Sequence, residues 1–265
     1  MNTSAPLASI VHRSPAASWS SIWPANAQLS DQTEDLSDIL GESKNILIAP
    51  WTPSEELKKA IDSAKYNDLS EFDAVIEMER INLLPELIDA SLGKALLREL
   101  VPAISAFGEL APFMNPSTSE RARRQGASDE TGRISPARTE RRSQHSHVAS
   151  ERINRRIRVM LMRTLGRTCP LFHVDRVSLR MLCTFRGPGT EWLADADVTR
   201  KGLGHGDNAK VMGPGAVIYS VPAFHLCVLK GDAYKGNTGR GIVHRSPSVP
   251  SNNGGRWYLR VDFDG

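Results

Sequence analysis

The stretch Cys169-Pro170-Leu171-Phe172-His173-Val174-Asp175-Arg176-Val177-Ser178-Leu179-Arg180-Met181-Leu182-Cys183-Thr184-Phe185 decides how this chain is read. Val177, Leu179, Met181, Cys183 and Phe185 fall on one parity, while Ser178, Arg180 and Thr184 fall on the other. Side chains alternate faces along a strand, so the run predicts a half-buried strand. His173 and Asp175 share the apolar parity. If the strand reaches back to them, an imidazole and a carboxylate point into the interior side by side, as a metal site requires.

The β pattern extends outward from there. Ile157, Val159 and Leu161 alternate with Arg156, Arg158 and Met160 before this stretch. After it come Arg186-Gly187-Pro188-Gly189-Thr190-Glu191-Trp192, short apolar runs over 216–221 and 224–229, and Gly241-Ile242-Val243-His244. The turn Asn252-Asn253-Gly254-Gly255 and a last strand from Arg256 to Phe263 complete the series. Short strands between Gly/Pro turns, with no helical period among them, predict an antiparallel sandwich or barrel over 151–265.

Upstream, Asn45-Ile46-Leu47-Ile48-Ala49 reads as a strand stopped by Pro50. Thr52-Pro53-Ser54-Glu55-Glu56 has the marks of a helix start, with acids at the positive end of the dipole. Leu84, Leu87, Ile88, Leu92, Leu96 and Leu100 recur at three- and four-residue steps, which predicts an amphipathic helix over about 84–107. Residues 1–45 lack a sustained period and read as a flexible N-terminal segment. Residues 46–110 form a unit of a strand and helices. Residues 111–150, rich in Ser, Thr, Arg and Gly, read as a disordered basic insert. The fold class is therefore α+β, with N-terminal helices packed on a C-terminal double-stranded β-helix, that is, a jelly-roll or cupin-like barrel.

Composition narrows the function classes. Hydrophobic residues at 40% and charged residues at 24% are ordinary for a soluble globular protein, and a net charge of +3 gives no general pull toward nucleic acid. The basic insert has almost no aromatic residues on which bases would stack, so a nucleic-acid partner is not expected. No apolar run reaches the roughly 18–20 residues of a membrane span. The N-terminus lacks a signal-peptide pattern, and the three cysteines are not spaced as a disulfide framework. These features predict a cytoplasmic protein with no membrane partner. The composition is silent on substrate, small molecule or protein, and on oligomeric state.

His244 follows His173 and Asp175 on a separate predicted strand. Two imidazoles and one carboxylate match a facial triad, which holds iron(II) on one side and leaves positions open. The order His-x-Asp, long gap, His, Gly-rich turn, Arg resembles that of the double-stranded β-helix dioxygenases dependent on iron(II) and 2-oxoglutarate. That resemblance implies His173, Asp175 and His244 as metal ligands, Arg256 as the clamp on the distal carboxylate of 2-oxoglutarate, and an oxygenase activity. Zinc at the same ligands is the alternative, with a non-catalytic or zinc-homeostasis role. Cys169 is a possible fourth ligand, although a lone cysteine before a strand is more often buried packing.

Phe172-His173-Val174-Asp175, Leu182-Cys183-Thr184-Phe185-Arg186-Gly187-Pro188-Gly189-Thr190-Glu191-Trp192, Leu229-Lys230-Gly231 and Val243-His244-Arg245-Ser246-Pro247 are similar to an uncharacterised bacterial family, domain of unknown function 1826. Its genes often lie near zinc-responsive ones, and the resemblance implies relatives rather than a reaction. One pattern opposes the clamp. Trp257, Leu259, Val261 and Phe263 form the apolar parity of the last strand, so an apolar barrel interior would turn Arg256 away from the metal. A bulge after the glycines would re-aim it; otherwise Arg180 or Arg245 would bind the co-acid.

Overall fold

The computed structural model describes residues 10–11, 23–111, 155–250 and 254–263. The expected basic insert lies almost wholly outside them, as does most of the chain before Trp23. Within the stretch read as a loose N-terminus, residues 23–45 are folded. Strand β2 (Ala27–Leu29) pairs with β3 (Ile46–Pro50), and Leu36 and Ile39 are buried. Polar composition hid them because only a few apolar residues anchor the segment. Strand β1 (Ile10–Val11) pairs in parallel with Ile218 and Tyr219.

Helix α1 (Glu55–Ser63) starts two residues later than Pro53 at its first position would put it. Ser54 is the cap: its Oγ accepts the Leu57 N–H at 3.2 Å, and Glu99 accepts from both the Ser54 hydroxyl and the Ser54 N–H. Strand β4 (Phe72–Glu77), which sequence periodicity did not reveal, follows. The long helix expected over 84–107 is two pieces. Met78–Leu87 is a 3-10 segment containing Pro85, and α2 (Ser91–Gly108) begins after an extended break. Proline supplies no N–H and disfavours helix in the residue before it, so the apolar period continues while the α-helix does not.

The remaining strands are β5 (Arg156–Thr164), β6 (Leu179–Arg186), β7 (Glu191–Leu193), β8 (Ile218–Ser220), β9 (His225–Lys230), β10 (His244–Arg245) and β11 (Arg256–Phe263); a short helix α3 (Asn208–Val211) precedes β8. They make two sheets: a seven-stranded, largely antiparallel one in the order β2-β3-β9-β6-β11-β5-β4, and a four-stranded one in the order β1-β8-β7-β10. The protein is thus a mixed α/β structure.

The large sheet buries both faces, against different partners. On one face Leu47, Ile157, Val159, Leu161, Met181, Cys183, Leu226, Val228, Trp257, Leu259 and Val261 pack with Leu57, Ile61, Leu96, Leu100 and Phe107 of the two helices. On the other, Ile46, Ile48, Leu182, Cys227, Leu229 and Tyr258 pack with Trp192 of the small sheet. Helices therefore cover the apolar parity of β5, β6 and β11. The opposite parity, carrying Arg180, Thr184, Arg256, Arg260 and Asp262, faces the space between the sheets. The expectation that the apolar parity marks the barrel interior is corrected here. Arg256 already points inward, and no bulge beside the glycines is needed. A bulge does exist farther along, where Phe185 of β6 is the extra residue opposite Trp257 and Tyr258.

Candidate metal centre

Strand β6 begins at Leu179, so His173 and Asp175 are not on it, and its apolar parity does not place them. His173 instead forms a lone bridge with His244. Each backbone N–H donates to the other residue's carbonyl at 3.0 Å. β10 pairs in turn with β7, His244 opposite Trp192. The two imidazoles are brought together by main-chain bonds, with ring centres 4.5 Å apart. Asp175 sits on the turn between His173 and β6. Gly231 and Asp232 hold that turn from below, through Gly231 N–H to Ser178 O at 3.0 Å and Asp232 N–H to Asp175 O at 2.9 Å. A β-carbon on Gly231 would lie 2.1 Å from Val177 O and 2.6 Å from Asp175 O, so only glycine allows this approach.

The three side chains converge. His173 Nε2 is 3.6 Å from Asp175 Oδ1 and His244 Nε2 is 3.2 Å from Asp175 Oδ2. One ligand-capable atom from each lies within 4.8 Å of the others. Cis ligands at metal–ligand distances of about 2.1 Å are about 3 Å apart, so the set is close to coordinating geometry. His173 Nδ1 donates to Leu171 O at 2.9 Å and His244 Nδ1 donates to Ile242 O at 3.1 Å. A carbonyl only accepts, so each Nδ1 carries the proton and each Nε2 is left to face the carboxylate. Two nitrogen lone pairs opposite a carboxylate repel one another unless a proton or a cation lies among them. Asp175 Oδ2 is buried and has no aligned hydrogen-bond donor. Arg180 Nη1 forms an ion pair with it at 2.6 Å. The donor set, with both Nε2 atoms turned toward the carboxylate, fits a divalent ion.

Burial works to raise the Asp175 carboxyl, but His173, His244 and Arg180 around it win and hold it well below the usual carboxylate range. The His173 imidazole is raised, chiefly by Asp175 and against its own burial.

A narrow cleft of about 70 Å³ opens on the pair of histidines. Its lining includes Cys169, Thr190, Arg256, Tyr258 and Arg260. Arg256 is 3% exposed. Its Nη2 donates to Thr184 Oγ1 at 3.2 Å and Thr190 Oγ1 at 3.1 Å, its guanidinium lies 4.3 Å over the Tyr258 ring, and its buried Nε has no partner. No carboxylate of the protein hydrogen-bonds it among the described residues, and burial lowers its pKa. Arg180 and Arg245 differ. Arg180 grips Asp262 through Nε at 2.7 Å and Nη2 at 3.1 Å, and Arg245 Nε donates to Glu191 at 2.6 Å while its guanidinium covers Phe172. Each is ion-paired with the protein's own acids. Cys169, expected in packing if not on the metal, is exposed, and it lies outside the three-residue cluster.

Asp262, Gly231, Thr184 and Thr190 are parts of the site that sequence reasoning missed. Asp262 had one available signal, an acid on the polar parity of a buried strand. Gly231 lies in the Leu229-Lys230-Gly231 motif, but its role depends on the turn packed against it, which its neighbours in sequence do not record.

Residues 147–262 match the family described as Protein of unknown function (DUF1826). The DUF1826 match covers somewhat under half of the chain and contains the triad and all the arginines of the cleft. No curated protein matches. Among solved structures, the rice dioxygenase for auxin oxidation is 13% identical, with 89% of this chain and 81% of that one covered and a TM-score of 0.41. The Arabidopsis thaliana dioxygenase for auxin oxidation 1, in a 2-oxoglutarate complex, is 11% identical, with 91% and 92% covered and a TM-score of 0.40. A Shewanella oneidensis protein assigned as an oxygenase is 12% identical, with 91% and 89% covered and a TM-score of 0.42. These are distant likenesses. Among the described residues, no helix is long and apolar enough to cross a membrane.

Proposed function

We propose that the protein is a non-haem iron(II), 2-oxoglutarate-type oxygenase, and that its two facing sheets are a double-stranded β-helix. The observation that carries the reading is the pairing of two features in one cleft. A His173–Asp175–His244 triad lies beside a buried arginine that no protein acid hydrogen-bonds among the described residues. Bound at the triad, iron(II) with 2-oxoglutarate and O₂ supplies the oxidising power for attack on a C–H bond.

The chain's own residues bind, orient and exclude water. The carbonyls of Leu171 and Ile242 fix the tautomers that turn each Nε2 to the ion. Arg256, with the Thr184 and Thr190 hydroxyls beside it, offers a planar guanidinium to the distal carboxylate of the co-acid; burial strengthens such a charge-assisted pair. Arg180 and Arg245, the other candidates for that role, hold Asp175 with Asp262, and Glu191, in position instead.

Anaerobic addition of 2-oxoglutarate to the iron(II)-loaded protein is expected to give a weak visible charge-transfer band. Arg256→Gln should weaken 2-oxoglutarate binding at least about tenfold while leaving iron affinity within about threefold. Iron that binds with no response to 2-oxoglutarate would refute the reading. It would favour zinc held at the same three ligands without catalysis. The narrowness of the cleft, about 70 Å³, is the observation on that side.

A further inference from the structure

Four guanidiniums line the metal cleft, those of Arg180, Arg245, Arg256 and Arg260. The carboxylates that ion-pair with them among the described residues are three, Asp175, Asp262 and Glu191; Asp73 also acts on Arg260 at longer range, but its charge is matched by Arg158, which grips both of its oxygens. Asp262 is shared, since Arg260 Nε donates to the Oδ2 that also receives Arg180 Nη2. One positive charge is therefore left over. On the oxygenase reading, a divalent ion and a dianionic co-acid cancel one another, and the surplus remains when both are bound.

The cleft is graded in depth. Arg256, Tyr258, Thr190 and His244 are buried at its floor, whereas Cys169 and Thr168 are exposed at its mouth. Arg260 belongs to the mouth, with a third of its side chain (34%) open to solvent. It stands four residues beyond Arg256 on the same face of β11, roughly 13 Å along the strand. Both of its bonds to protein go to the single Oδ2 of Asp262, through Nε and Nη2. Its Nη1 makes no hydrogen bond or ion pair among the described residues. Arg256 and Arg260 are thus two cationic groups on one wall, one deep and one shallow, too far apart along the strand to serve one small carboxylate.

We propose that the substrate to be oxidised carries a single carboxylate, and that Arg260 at the cleft mouth binds it. The proposal rests on the oxygenase reading for what fills the floor. Arg260 is then a specificity-determining residue: it selects acids over neutral analogues and orients the bound acid toward the triad. A neutral substrate that covers the cleft would leave its surplus charge uncompensated, which costs affinity.

The test uses the full chain loaded with zinc, a redox-inert stand-in, with and without 2-oxoglutarate. Phenylacetate and its neutral analogue phenylacetamide are the probes, read by calorimetry or thermal shift. The wild type is expected to bind the acid at least about tenfold tighter than the amide. Arg260→Gln should bring that ratio to about one while changing 2-oxoglutarate affinity less than about threefold, and Arg260→Lys should restore part of the preference. Equal binding of acid and amide by the wild type, no binding of the acid, or a preference that survives Arg260→Gln would overturn the proposal. Failure of 2-oxoglutarate to bind the wild type is a separate readout. It would sink the oxygenase reading, while the acid-over-amide ratio in the zinc-only protein still judges Arg260.

Discussion

The two faces of the large sheet are built from the same strands and do opposite work. Toward the helices, Trp257, Leu259 and Val261 of β11 join Met181 and Cys183 of β6 in a dry apolar layer. One residue out of step, Arg256, Arg260 and Asp262 of β11 join Arg180 and Thr184 of β6 in a charged layer around the triad. Burial on the first face is its own reward, since each large side chain gains its transfer free energy. Burial on the second is tolerable only because nearly every charge meets another: Arg180 with Asp262, Arg245 with Glu191. A strand buried on both faces can thus hold a stability element and a functional one with no change of backbone. The apolar layer fixes the register, and the register delivers the charges.

That division can be broken most severely from the apolar side. Trp257 is fully buried, and its indole N–H has no partner to lose. Trp257→Ala should cost about 3–5 kcal/mol by denaturant unfolding, while the molecules that remain folded keep metal affinity within about threefold. A comparable loss of metal affinity would show that the faces are not separable. A smaller effect is expected from below the triad. Gly231→Ala forces the Asp175 turn away from β9. It should destabilise by about 1–3 kcal/mol and weaken metal binding about tenfold or more, because the carboxylate moves with its turn. Unchanged metal affinity in this variant would mean that the turn does not set the ligand.

A third effect, graded with pH, sharpens the contrast through its exception. Lys230, 1% exposed, has the parity of Leu226 and Val228 and so lies on the apolar face, donating to Gly41 O at 2.8 Å and lying 4.4 Å over the Tyr234 ring. Burial, reinforced by Arg240, pushes its pKa down to about 8. The unfolded chain keeps this amine protonated up to the ordinary lysine range, so between about pH 8 and that range it binds more protons than the folded chain. Stability from this group therefore rises with pH across that window, by at most about 1.4 kcal/mol per pH unit. Below about pH 8 both forms are charged and the burial penalty is constant. Thermal unfolding of the wild type against Lys230→Met over this window should show the rise only in the wild type.

The sequence carried the alternation of β5, β6 and β11 and the ligand-capable residues His173, Asp175 and His244, because strand period and residue chemistry are local. Which parity faced the second sheet was not local. It depends on the helices of residues 55–108 covering one face, and nothing within Arg256–Phe263 records that. β4 and β7 escaped notice because their ladder partners, rather than their own pattern, make them strands. The pairing of Arg180 and Arg245 was equally hidden, since Asp262 and Glu191 lie 82 and 54 residues from them in sequence.

The reciprocal backbone bonds between His173 and His244 have a kinetic consequence. The contact that keeps the segment before β6 against β10 is made at the very residues proposed to hold the ion. With an ion bound, opening there and letting go of it would become a single event. An occupied centre would act as a rivet between segments some seventy positions apart, slowing local fraying and release together.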